Sequence, residues 1–163
     1  MNIVELSFYE VAKLFLGPVL VLILLALVYA LVSLGMFAAE AWQRRRGTYR
    51  SELTDFQRRT GAASDDLELW ILRRLEWLRI VSRTSPMLGL VATMIPMGPA
   101  LLALSNNDAK AIGENLVVAF SAVILALISA SITFVVLTVR RRWLLQELRG
   151  IERAQATVQG AAR

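Results

Sequence analysis

Thr93 stands near the middle of the uncharged stretch from Thr84 to Asn107. A hydroxyl at that depth can orient a water molecule or accept a hydrogen bond from a protonated carboxyl group. It can also simply donate to the carbonyl one turn earlier, as a lone threonine in a membrane helix commonly does. Around it, Gly89, Ala92, Pro96 and Ala100 fall at helical spacing and form a narrow, partly polar face. Pro96 and Pro99 remove two backbone donors, which frees carbonyls near Ala92 and Ile95 and favours a bend. Freed carbonyls at membrane depth must be satisfied by hydroxyls, water or a neighbour. A second uncharged stretch, Asn115 to Val139, repeats the pattern with Ala119, Ala122, Ala126, Ser129/Ala130 and Thr133, and Ser121 lies beside them. Glu114 opens that stretch, either as an acid at a helix N-terminus or as a carboxylate drawing cations to the mouth of a pathway. Small faces of this kind let membrane helices pack closely. The same faces, repeated in a ring, make a pore wall, and both readings can hold together.

What is absent narrows the chemistry further. The chain has no histidine and no cysteine, so imidazole and thiolate metal sites, disulfides, and His- or Cys-based nucleophilic catalysis are excluded. No glycine-rich phosphate loop and no nucleophile–base pair is present, so the expectation is a chain that is not an enzyme and needs no cofactor. The stretches Leu14–Ala39, Thr84–Asn107 and Asn115–Val139 hold no Asp, Glu, Lys or Arg. A protein that carries protons normally needs an ionisable group inside the membrane. If this chain moves protons, a partner chain must bring the titrating group, and the chain itself supplies the wall.

The elements that would position these residues follow from the apolar blocks. Of the 163 residues, 56% are hydrophobic, and they are concentrated in three runs, each long enough to cross a bilayer. Residues 1–13 read as an interfacial amphipathic helix, with Gly17-Pro18 bending the chain into a first span at 14–39. Residues 40–83 are polar and helical, with a break at Gly61–Ala63 and a restart at Ser64-Asp65-Asp66, an N-cap followed by acids. From there Leu67, Ile71, Leu75, Leu78 and Val81 form a helical stripe. Thr84-Ser85-Pro86 reads as the capped start of a second span at 84–107. A short turn at 108–114 leads to a third span at 115–139. An amphipathic tail follows at 140–163, with Trp143, Leu144, Leu148 and Ile151 on one side.

The net charge is +5, but its distribution does not suit nucleic acid. Of 18 Lys and Arg, all but Lys13 and Lys110 lie at 44–83 or from Arg140 onward. Basic residues crowded at the ends of apolar spans mark the cytoplasmic side. The expected fold is an all-α membrane protein with three transmembrane helices extended by cytoplasmic helices, N-terminus outside and C-terminus inside.

The run TSPMLGLVATMIPMGPALLAL, a short polar turn, then GENLVVAFSAVILALISASITF and a basic RRRW exit resemble the MotA/TolQ/ExbB proton-channel family. The resemblance is carried by about residues 78–148. It implies a homo-oligomeric ring, a pentamer, in a bacterial or archaeal inner membrane. It also implies a single-span partner of the ExbD/TolR/MotB kind that carries a membrane Asp, with proton or sodium flow driving a motor. Gly89 and Thr93 match the family's G-x-x-G-T stretch, with Ala92 replacing its second glycine, so the resemblance makes Thr93 the pore threonine. Glu114 resembles the glutamate that opens the family's third span. For the third-span threonine, Ser121 is the nearest hydroxyl, while counting from Glu114 gives Ala119. The resemblance thus points to Gly89 and Thr93, with Ser121 or Ala119, along an ion pathway, and the small faces of the two stretches add Pro96 and Ala122. Two other functions remain open from the residues: a scaffold subunit that uses its small faces only for packing, and a holin-like pore that acts alone.

Overall fold

Leucine, valine and alanine dominate the three apolar runs, and a backbone in lipid must satisfy its own hydrogen bonds, so helices are the expected outcome. The computed structural model describes residues 3–46, 52–60 and 64–161, and these form four helices: α1 (Ile3–Arg45), α2 (Glu52–Thr60), α3 (Ser64–Ser105) and α4 (Ala109–Ala161). Three of them are long and apolar enough to cross a membrane, over Glu10–Arg45, Asp66–Ser105 and Ala109–Thr157.

At two places a helix runs on where the sequence suggests a bend or a cap. α1 runs without a break through Gly17-Pro18, so no joint separates residues 1–13 from a span at 14–39. A proline inside a helix loses one backbone bond but keeps a helical φ, and many neighbouring bonds hold the segment. The amphipathic face expected near the N-terminus rests on Ile3, Val4, Leu6, Phe8 and Tyr9, whose side chains lie outside the described residues. α3 likewise passes straight through Thr84-Ser85-Pro86, so the cap expected there is not formed. The break expected at Gly61–Ala63 lies outside the described residues, and α3 begins at Ser64.

The turn expected at 108–114 shrinks to residues 106–108, with Lys110 and Gly113 already helical in α4. The reason is two caps placed back to back. Asp108 N–H donates to Ala103 C=O at 2.9 Å and Asn107 N–H to Leu104 C=O at 3.1 Å, the paired bonds that close a helix with a left-handed residue. Asn107 takes that seat with φ 56°. Asp108 then starts α4: its Oδ1 accepts from Ala111 N–H at 3.1 Å and its carbonyl from Ile112 N–H at 3.2 Å. Asn107→Val is expected to cost about 1–2 kcal/mol, since a β-branched residue resists positive φ. Asp108→Ala is expected to cost about 1 kcal/mol through the lost cap. Denaturant titration of the purified variants checks both values.

By contacts the chain divides into two units, one of residues 1–32 and 81–133, the other of 33–80 and 134–163. The first holds a core of Val19 and Ile23 from α1, Ala92 from α3, and Ala122 and Ala126 from α4, with Leu20 and Leu88 packed against it. Large apolar side chains of this unit point outward, among them Leu14, Met87, Leu101 and Val117, each at least 65% exposed. On helices of spanning length such exposure suits hydrocarbon, not water.

In the second unit, the expected stripe is buried at Leu67, Ile71, Leu75 and Leu78 of α3, together with Leu53 of α2 and Val136, Leu144 and Leu148 of α4. Phe56 stacks on Trp70 with centroids 5.8 Å apart, and Phe37 on Trp143 at 5.3 Å. Glu40 ties α1 to α4: its carboxylate accepts from Arg140 at 2.9 Å and from Arg44 at 3.2 Å. Arg44 also donates to Glu147 at 2.6 Å and lies over the Trp143 ring at 4.5 Å.

Candidate ion pathway

The residues singled out from sequence fall into two groups. Gly89, Pro96, Ala119 and Ala122 are buried inside the subunit. Gly89 sits so close to α4 that a Cβ built on it would be 2.9 Å from the Ala126 Cβ and 3.3 Å from Val123 Cγ2. Ala92 and Ala122 share the core with Ala126. These small residues therefore let α1, α3 and α4 of one chain approach each other. Within the subunit they present no wall to a lumen, because their faces are already covered.

The second group keeps access to the surroundings. Thr93 lies at the edge of the buried face of α3, partly exposed, and its Oγ1 donates to Leu90 C=O at 2.7 Å. That bond uses the hydroxyl proton and leaves oxygen lone pairs free to accept. Ser121 is exposed, unlike Ala119, which is buried. Glu114 is exposed at the start of α4 and pairs loosely with Lys110 at 3.9 Å, both side chains well solvated. Such a pair is weak, which leaves the carboxylate accessible to other cations.

Two buried hydroxyls of this unit bond within their own helix. Ser129 donates to Leu125 C=O and Thr133 to Ser129 C=O, both one turn back, and both residues are fully buried. Ser85 is also fully buried, and its Oγ has no hydrogen-bond partner among the described residues. Read from sequence, either Thr84 or Ser85 suits a helix cap, which gives no sign of this orphan hydroxyl. It also missed the Glu40–Arg44–Arg140–Glu147 network, whose members lie about a hundred positions apart. The available signal was a glutamate at the foot of an apolar run, ahead of the basic cluster.

Among the described residues no group of three metal-ligating side chains comes together. Three long apolar helices with outward-facing apolar side chains define a multi-pass membrane protein. A model of the MotA/TolQ/ExbB proton channel family matches residues 25–152, and the chain belongs to that family. Members of this family are channel or motor subunits and not enzymes. Searches of curated proteins and of solved structures returned no match.

Proposed function

We propose that this chain is the wall subunit of an ion-driven motor in a bacterial or archaeal inner membrane. Copies assemble as a pentameric ring around a single-span partner of the ExbD/TolR/MotB kind, with the N-terminus outside and the basic ends in the cytoplasm. Protons, or sodium ions, pass along the partner's membrane Asp. The observation that carries this reading is a proton-channel-family chain whose three apolar stretches hold no Asp, Glu, Lys, Arg or His. A proton pathway normally needs a carboxylate or another readily titrated group inside the membrane, and a partner chain can supply one. In this reading Thr93 and Ser121 are the hydroxyls that meet the ion pathway, and Glu114 collects cations at its outer end. Gly89, Pro96, Ala119 and Ala122 set the spacing of the wall from behind.

The test is ion flux into vesicles that hold the chain with a single-span, Asp-bearing partner. Thr93→Ala is expected to lower flux about tenfold or more, the effect of losing one polar contact worth at least 1.4 kcal/mol in the transfer step. Thr93→Ser should keep most of it, and both complexes should stay assembled. A second reading is a scaffold subunit without ion conduction. The internal use of Gly89, Ala92, Ala122 and Ala126, and the back-bonded Thr93, favour it. Unchanged flux in Thr93→Ala with intact assembly would select the scaffold.

A further inference from the structure

At the polar end of the apolar run of α1, Ala38, Ala41, Trp42, Arg45 and Arg46 line a shallow concavity of about 430 Å³. The two alanines leave a notch where longer side chains would fill the helix surface. Trp42 forms one side of it and is 61% exposed. The Arg46 guanidinium lies 4.8 Å from the centroid of the Trp42 ring. Arg45 is exposed and forms no ion pair among the described residues. Among the described residues no carboxylate lines the notch, whose lining sets the Arg45 and Arg46 guanidinium groups beside an aromatic ledge.

A second concavity of this unit, about 330 Å³, is chemically different. Its Arg140 is paired with Glu40 and its Arg74 with Glu52, so its lining charges cancel and it does not favour an anion. On the notch side of α1, Leu34 and Gly35 lie one turn nearer the middle of the helix and are exposed. A Cβ added to Gly35 would meet nothing within 4 Å. An open apolar strip thus leads down to a basic, aromatic notch. A tryptophan at such a border takes the headgroup level of a bilayer, and arginine suits a phosphate through its planar, forked donors.

We propose that this notch binds the headgroup phosphate of an anionic phospholipid, with an acyl chain lying along Leu34, Gly35 and Ala38. Arg45 and Arg46 hold the phosphate, and Trp42 shields it from one side. The apolar strip distinguishes a lipid from a free phosphate, which would gain nothing from it.

The test uses the full chain in nanodiscs of equal phosphatidylglycerol and phosphatidylcholine, with retained lipid read by native mass spectrometry. The unmodified chain should retain phosphatidylglycerol over phosphatidylcholine by about thirtyfold, the scale expected for two basic residues at a membrane surface. R45Q/R46Q should bring the ratio near parity. R149Q/R153Q removes the same charge from exposed positions of α4 and should leave the ratio unchanged. R45Q alone should lose at least half of the enrichment, which keeps the test decisive if the double variant fails to fold by circular dichroism. Parity in the unmodified chain, full retention in R45Q/R46Q, or an equal loss in R149Q/R153Q would each overturn the proposal. Displacement of the lipid by millimolar glycerol phosphate would reassign the notch to soluble phosphates and overturn the lipid assignment.

Discussion

Gly89→Leu is expected to abolish the folded first unit, or to destabilise it by about 3 kcal/mol or more, the upper end of overpacking costs. The Cβ of any residue at position 89 would meet the Ala126 Cβ at 2.9 Å. Ala126 is fully buried, and its side chain has no rotamer to turn away. Relief must therefore come from moving α3 away from α4, which opens the core around Val19, Ile23 and Ala92. Gly89→Ala sets the same clash against a gain of about 1 kcal/mol in helix propensity, so its net effect should be much smaller. The reciprocal change tests the geometry directly. Gly89→Ala combined with Ala126→Gly moves the methyl group from one helix to the other and should restore most of what Gly89→Ala loses. Unfolding in mixed detergent, followed by circular dichroism, reads all four proteins. If Gly89→Leu unfolds like the parent chain, the close approach is not a feature of the folded protein.

Glu40→Gln should destabilise the second unit by roughly 2–3 kcal/mol, somewhat below the 3–5 kcal/mol seen when one member of a fully buried ion pair is removed. Glu40, Arg44 and Arg140 have side chains only 18–22% exposed. Arg140 reaches the same carboxylate oxygen with two nitrogens, Nε at 3.0 Å and Nη2 at 2.9 Å. A glutamine can accept from one guanidinium but cannot neutralise it, and Arg140 would remain half-buried and charged. Arg44 suffers less, because Glu147 and the Trp143 ring still hold it. The double change Glu40→Gln with Arg140→Gln should therefore cost less than the sum of the single changes, by about 1 kcal/mol or more. Denaturant titration of the four proteins gives the coupling. Strict additivity would mean that water already separates the pair.

The three spans were legible because the membrane imposes a length and excludes charge, and both constraints act on local sequence. The start of α3 at Ser64 was legible from its acids, and the buried stripe Leu67, Ile71, Leu75 and Leu78 from its period. Helix ends were less so. Pro18 and Pro86 read as boundaries because proline disfavours a helix interior, yet a long helix absorbs one missing bond. The polar residues after Asn107 read as a turn, because two caps sharing Asp108 cannot be recognised from composition.

The candidate site shows the same division. By itself the sequence determined that the chain has three apolar runs long enough to cross a membrane, that they hold no Asp, Glu, Lys, Arg or His, and that Thr93 is the mid-depth hydroxyl of one of them. Those are properties of residue type and position along one helix. Which way a small face points is a property of neighbours. Only the tertiary structure decided that Gly89, Pro96, Ala119 and Ala122 face inward while Thr93 and Ser121 keep an open side. A glycine that allows a helix to approach and a glycine that lines a pore have identical sequence signatures. The contact of Gly89 with Ala126 separates them, because a space already filled by a neighbouring helix cannot also be a passage.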